Sequence, residues 1–247
     1  MEYTLFGKEH IILLIISIAF IIISNTLLNK FTRQSEKRIK ISFIIIYSLI
    51  LLSEIAKQIH GYITYGEVSI GYYPFHICSY ALYFFPFVAF KKQYPKRLML
   101  TATILGIIPG LVTIFYPSNV LQGGFVTANS FFYHSLMIIF GIQILSSGIY
   151  HYRPKDFIYT LLSIVVIFSI ALTANTIFKG ADFAFIGTGG SAPYGEWFIS
   201  KFGKALYVTT VYSLFSFIVF LFQLPYMIGY VIKNKTLHTI RLRNNSI

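Results

Sequence analysis

Seven long apolar runs cross this chain, at residues 9–28, 39–60, 73–90, 97–116, 128–149, 157–178 and 205–232, with polar connections between them. The runs are continuous and lack the period-two alternation of a barrel strand, so they predict α-helices. A helix rises 1.5 Å per residue, and about 20 residues cover the ~30 Å hydrocarbon layer of a bilayer, so each run is long enough to cross it. The predicted fold class is all-α: a polytopic membrane protein with seven transmembrane helices, forming one domain over residues 1–247. A long external connection at 179–204 joins the sixth and seventh helices.

Composition strengthens this picture. Of 247 residues, 56% are hydrophobic and only 11% charged, with a mean hydropathy of +0.70. A soluble domain normally carries about a quarter charged residues, so a soluble fold is excluded. The first run reaches Asn29 and Lys30 without a small-residue cleavage site, which marks a retained span rather than a leader. A single cysteine excludes an internal disulfide and a thiolate-rich metal site. No glycine-rich phosphate loop or nucleic-acid motif is present, and no metal, cofactor or nucleic-acid partner is expected.

The net charge of +12 belongs to the connections. Lys30, Arg33, Lys37, Arg38 and Lys40 bracket the first; Lys91, Lys92, Lys96 and Arg97 fill the third; Arg153 and Lys155 lie in the fifth; Lys233, Lys235, Arg241 and Arg243 form the tail. The second and fourth connections have no basic residue. Because basic loops stay in the cytoplasm, this alternation predicts an external N-terminus and a cytoplasmic C-terminus. The sixth connection carries Asp182, Glu196, Trp197 and a turn-rich stretch from Gly187 to Pro193. Connections of this length often form lids or re-entrant segments.

Ionisable side chains inside the runs gather toward one end. Any up-and-down threading brings Glu54, Lys57, His76, Cys78 and His134 to the same side of the bilayer, although they belong to three different runs. Polar groups in hydrocarbon cost several kcal/mol unless paired, so a shared depth points to a shared site. Glu54, Lys57 and Gln58 occupy one helix face at spacings of three and four. Glu54 is expected roughly 10 Å below the outer end of its helix. An ion pair that only fixes helix packing accounts for Glu54 and Lys57 as well as a site wall does. Pro74 suits a first helical turn, which puts His76 and Cys78 just inside the third helix. On a regular helix, residues two apart point to different sides, so His134 is a better base for Cys78 than His76 is. Asn129 and Asn175 are expected to orient groups or to stabilise an oxyanion. Gly106, Pro109 and Gly110 predict a kink and close helix approach in the fourth run.

At these residues the chain resembles the YwaF family of bacterial integral membrane proteins, related to animal transmembrane protein 164. The resemblance rests on Glu54 and Lys57, on Pro74-Phe75-His76-Ile77-Cys78, on His134 and on Thr173-Ala174-Asn175, and covers residues 9–232. It implies a seven-helix bundle in the bacterial plasma membrane with an intramembrane site. For the animal relatives it implies acyl transfer between phospholipids by a Cys-His pair. The animal-type motif has Cys directly before its His, where this chain has Phe75; Cys78 follows His76 by two positions.

Three functions remain open at this stage. The first is a lipid-directed acyltransferase or acyl hydrolase, using Cys78, His76 and His134 on a membrane-lipid substrate. The second is a transporter or a small-solute or ion binder using Glu54, Lys57 and the histidines. The third is an accessory protein that meets a partner through residues 179–204. Oligomeric state is not encoded in any feature above.

Overall fold

The computed structural model is built from α-helices and short 3-10 turns, with no strand among the described residues. It describes residues 4–33, 35–117, 120–192 and 194–244, with side chains as far as Ile232. Pro193 and the basic side chains of the tail (Lys233, Lys235, Arg241 and Arg243) lie outside the described residues. In chain order the helices are α1 (Lys8–Thr32), α2 (Glu36–Tyr65), α3 (Ala81–Ala89), α4 (Met99–Phe115), α5 (Gly124–Ser146), α6 (Pro154–Ile177), α7 (Gly195–Phe202) and α8 (Lys204–Asn244).

Five of these, α1, α2, α5, α6 and α8, are long and apolar enough to cross a membrane. Two shorter apolar segments, Ile77–Ala89 and Met99–Phe115, occupy the third and fourth runs. Ile15, Ile16, Ile22 and Ile23 on α1, and Leu214, Phe217 and Leu221 on α8, are exposed, as residues that face lipid are.

The third run departs from expectation. Its helix does not open at Tyr73 with Pro74 in the first turn. Tyr73 is extended at its ψ of 141°, and so is His76 at φ −71°, ψ 156°. Helical geometry begins only with the 3-10 turn Ile77–Tyr80, which passes directly into α3. The cause is local: the Pro74 ring disfavours the helical region for Tyr73. Pro74 and Phe75 form a tight turn, with the Phe75 N–H donating to the Tyr73 carbonyl at 2.8 Å, and aromatic groups hold this non-helical segment in place: Tyr73 and Phe75 pack against Phe178, and Phe75 also against Phe183.

Helix α5 is the central post and packs on α1, α2 and α4. Its contact with α4 brings backbone to backbone. A methyl group added at Gly106 would lie 2.6 Å from the Met137 carbonyl oxygen, and one at Gly141 would lie 2.9 Å from that of Thr103. Beside this contact, Phe85 and Phe140 stack face to face at 3.9 Å, with Phe43 4.8 Å from Phe140, all three fully buried.

The two ends of the bundle differ in chemistry. At one end the Lys40 ammonium donates to the carbonyls of Val88 (2.9 Å) and Lys91, satisfying the C-terminus of α3 with a cation. The first and third basic connections therefore share that end. At the other end, the described residues of the sixth connection (179–192 and 194–204) form a 3-10 turn, Phe183–Phe185, that packs on the bundle, followed by the amphipathic α7. These are called the basic end and the capped end below.

Close backbone contact leaves no room for side-chain growth. Gly106→Ala is expected to destabilise the protein by about 1–3 kcal/mol through overpacking, read as a lower Tm in detergent. Gly229→Ala, where nothing lies within 4 Å, is expected to leave Tm unchanged or slightly raised.

Candidate functional site

The last turns of α2 present Ser53, Glu54, Lys57 and Gln58 to the capped end. The buried Glu54 carboxylate accepts from Lys57 Nζ at 2.8 Å and from Gln58 Nε2 at 2.7 Å. Gln58 Nε2 also donates to the Tyr72 carbonyl at 2.7 Å, so this amide links α2 to the 3-10 turn Ile70–Tyr72 that precedes the third run. Lys57 Nζ lies 5.8 Å from the centre of the Tyr72 ring. Helical spacing puts the acid, the base and the amide on one face, where each satisfies another.

His76 ends the extended segment. Its ring meets Phe183 edge-on, with centroids 5.3 Å apart, and the backbone of Gly71 faces it. Cys78 lies in the 3-10 turn beside the Ser79 hydroxyl, and the Tyr133 hydroxyl of α5 donates to its carbonyl at 3.4 Å. Glu54 and Lys57 are close enough for their charges to act on both His76 and Cys78; Lys57 acts on His134 as well, and Asp182 on His76. Tyr133, the neighbour of His134 on α5, is the hydrogen-bonded link between that helix and the Cys78 turn.

The arrangement of His134 is distinctive. Its Nδ1 lies 2.7 Å from the Ser130 carbonyl and 3.3 Å from the Ser130 hydroxyl. A carbonyl can only accept, so Nδ1 carries the proton and Nε2 carries the lone pair of the neutral ring. Nε2 is buried and has no hydrogen-bond partner. Other buried atoms lack partners too, among them amide atoms of Asn25, Gln143 and Gln223 and the Nδ1 of His60. The amides have no proton chemistry near neutral pH, and the His60 ring is stacked on Phe125 at 4.8 Å, further along α2.

Asn129 and Asn175 act as braces at the edges of this site. Asn129 accepts from the Ser53 hydroxyl (2.8 Å) and donates to the Ser53 carbonyl (3.1 Å), tying α5 to α2. Asn175 accepts from the Phe183 N–H (2.8 Å) and donates to its carbonyl (3.0 Å), tying the end of α6 to the cap. Thr176 is turned away: its hydroxyl donates to the Thr173 carbonyl and it is exposed.

The cap is ordered by Asp182. Its carboxylate accepts backbone N–H groups from Gly187 (2.7 Å), Gly189 (3.2 Å) and Ser191 (2.8 Å). Gly187 has no space for a side chain, since an added methyl would fall 2.0 Å from the Ala181 carbonyl oxygen. The Tyr207 hydroxyl of α8 donates to the Phe185 carbonyl at 2.7 Å and anchors the turn from the other side. The product of this scaffolding is Phe183, fully buried over Phe75, His76 and Phe178. The Trp197 side chain on α7 is largely exposed.

Phe183, Tyr133 and the Asp182 carboxylate shape the site without belonging to its candidate residues. A carboxylate just before a glycine-rich run is a legible sign of backbone N–H capture. Phe183 and Tyr133 carry no comparable sign in a chain with 25 Phe and 19 Tyr. Among the described residues no group of three or more His, Cys, Asp or Glu side chains is placed to hold a metal ion.

The model of the TMEM164 family matches residues 5–224, a stretch that contains every site residue named above. The chain belongs to the TMEM164 family. No curated protein and no solved structure matches it. As a TMEM164 family member whose long helices are apolar, the chain is an integral, multi-pass membrane protein. The match is compatible with the bacterial grouping suggested by the resemblance.

Because Asp182 satisfies three N–H groups at once, Asp182→Ala is expected to loosen the TMEM164 cap. Charge-assisted bonds of this kind contribute about 1.5–3 kcal/mol each, and losing them is expected to speed hydrogen exchange at Gly187, Gly189 and Ser191 by at least roughly tenfold. Exchange mass spectrometry of peptides spanning 183–202 measures this, with peptides from α5 as the unchanged reference.

Proposed function

We propose that this protein is a membrane-embedded acyltransferase that works on phospholipid esters from the capped end of a seven-span bundle. This reading counts the two short apolar segments as spans, and the alternation of basic connections supports a capped end outside and a tail in the cytoplasm. The observation that carries the proposal is the buried, unpartnered Nε2 of His134, a base oriented by the Ser130 carbonyl and next in sequence to Tyr133, whose hydroxyl reaches the Cys78 carbonyl.

In the first half-reaction, His134 Nε2 takes the Cys78 thiol proton as the sulfur attacks the ester carbonyl of a donor lipid. The C–S bond forms, the carbonyl π pair moves to oxygen, and Lys57 lends positive field to the developing anion. Collapse breaks the ester C–O bond, and the imidazolium returns its proton to the leaving lysolipid alkoxide. In the second half, a lysolipid hydroxyl loses its proton to the same nitrogen and attacks the thioester, restoring the thiol. His76, held by Phe183 and in the field of Asp182 and Glu54, orients the substrate; Asn129 and Asn175 keep the helices that carry these groups in register. Against transport, the fully buried Phe43, Phe85 and Phe140 fill the bundle between its two ends.

Two variants test this in vesicles containing a labelled donor phospholipid and an unlabelled lysolipid acceptor. Cys78→Ala and His134→Gln are expected to lower acyl exchange by about 10²-fold or more while Tm stays within a few degrees. The wild-type Cys78 peptide is expected to gain the mass of one acyl chain, removable by hydroxylamine. Exchange that persists in folded Cys78→Ala, with no adduct on Cys78, would overturn the assignment.

A further inference from the structure

A second lipid-shaped feature lies at the basic end, away from the site above. Between the α3–α4 connection and α6 runs an open groove of about 750 Å³, lined by Phe84, Leu98, Leu162 and Val166 along its floor and by Lys96, Arg97 and Arg153 at its mouth. No carboxylate lines it. Arg153 is balanced by Asp156, which accepts from its Nη2 at 2.7 Å and its Nε at 3.2 Å. Lys96 and Arg97 are exposed, and among the described residues neither enters an ion pair. The Arg97 guanidinium stands over the Tyr159 ring at 5.1 Å, which holds it above the groove.

Length and charge together select the occupant. From Arg153 to Val166 the groove follows α6 for roughly 20 Å at 1.5 Å per residue. That is about half of the ~40–45 Å bilayer, one leaflet from head group to midplane. Leu162 and Val166 are exposed one helical turn apart, so an extended hydrocarbon chain along α6 covers both. At the upper end, two uncompensated cations await a negative charge. A free anion would leave the apolar floor uncovered, and a neutral lipid would leave the cations unmatched.

We propose that this groove is a binding site for one anionic phospholipid of the leaflet at the basic end, with its phosphate held by Lys96 and Arg97 and an acyl chain laid along Phe84, Leu162 and Val166. The site is separate from the Cys78–His134 region, and its occupancy holds the α3–α4 connection against α6.

Native mass spectrometry of the full chain in detergent, titrated with dioleoylphosphatidylglycerol or dioleoylphosphatidylcholine, tests the proposal. The wild-type protein is expected to bind one phosphatidylglycerol at least tenfold more tightly than phosphatidylcholine. Each basic group near an anionic head group contributes about a fivefold factor, so Lys96→Gln/Arg97→Gln is expected to weaken phosphatidylglycerol binding by roughly 10- to 30-fold. Lys30→Gln/Lys37→Gln, with the same loss of charge at exposed positions away from the groove, is expected to change it less than twofold. Ser163→Trp fills the groove, keeps its charge, and is expected to weaken binding by about tenfold. Equal loss in the two charge pairs, equal affinity for the two lipids, or unchanged affinity in Ser163→Trp would each overturn the site. Lys96 and Arg97 are exposed, so their double variant folds even where the tryptophan variant does not.

Discussion

Helices in a bilayer gain nothing from hiding apolar surface from one another, because lipid is as apolar as leucine, so close packing and polar pairing must hold them together. In this protein the backbone contact of α4 with α5 meets that requirement first. Its register sets the site. A methyl group at Gly110 would come within 3.0 Å of the His134 carbonyl oxygen, so the α5 turn that carries the imidazole is the turn against which α4 is pressed. A shift of α5 along α4 would move His134, Tyr133 and Asn129 together. Gly106, Gly110 and Gly141 therefore do more than permit packing; they fix the depth of His134.

Around that contact, polar side chains convert depth into geometry by bonding to main chain on a neighbouring element. Asn175 copies a backbone pairing edge with Phe183, Asn129 pairs with the hydroxyl and carbonyl of Ser53, and Gln58 reaches the Tyr72 carbonyl. Each bond contributes modestly in a membrane, where measured values average below 1 kcal/mol. Their directionality matters more than their strength, since a reciprocal amide pair admits a single relative placement of the two chains.

Much of the fold was legible because a membrane imposes a simple rule on sequence. The five long helices cover the apolar runs from which they were expected, and glycine and proline marked where α4 would be approached closely. The third run misled in one respect. Its apolarity is that of a span, and Pro74 fits a first turn, but a proline also drives the residue before it out of the helical region. The aromatic partners Phe178 and Phe183, about 100 residues away in sequence, hold the unwound form that the proline favours. That form changes the site, because the rule that residues two apart face different sides holds for a regular helix and not for the extended-to-3-10 passage from His76 to Cys78. The expectation that Glu54, Lys57, His76, Cys78 and His134 lie toward one end of their runs needs depth alone. Their hydrogen-bond partners could not be expected, since Ser130, Tyr133 and Gly71 look the same in sequence whether or not they meet a site residue.

An extended segment at membrane depth carries its own difficulty. Backbone N–H and C=O groups outside helices find no water in hydrocarbon, so irregular chain survives there only when protein covers it. Residues 73–76 meet that condition through the cap: Phe183 and Phe178 cover the aromatic side, and Gln58 takes up the Tyr72 carbonyl. The cap in turn depends on Asp182, whose carboxylate replaces the partners that its glycine-rich turn lacks. Seen this way, the unwound start of α3 and the folded connection before α8 form a single device. The first frees Cys78 and His76 from helical spacing, and the second makes that freedom tolerable inside a membrane. A regular third helix would satisfy its own backbone and would need no cap.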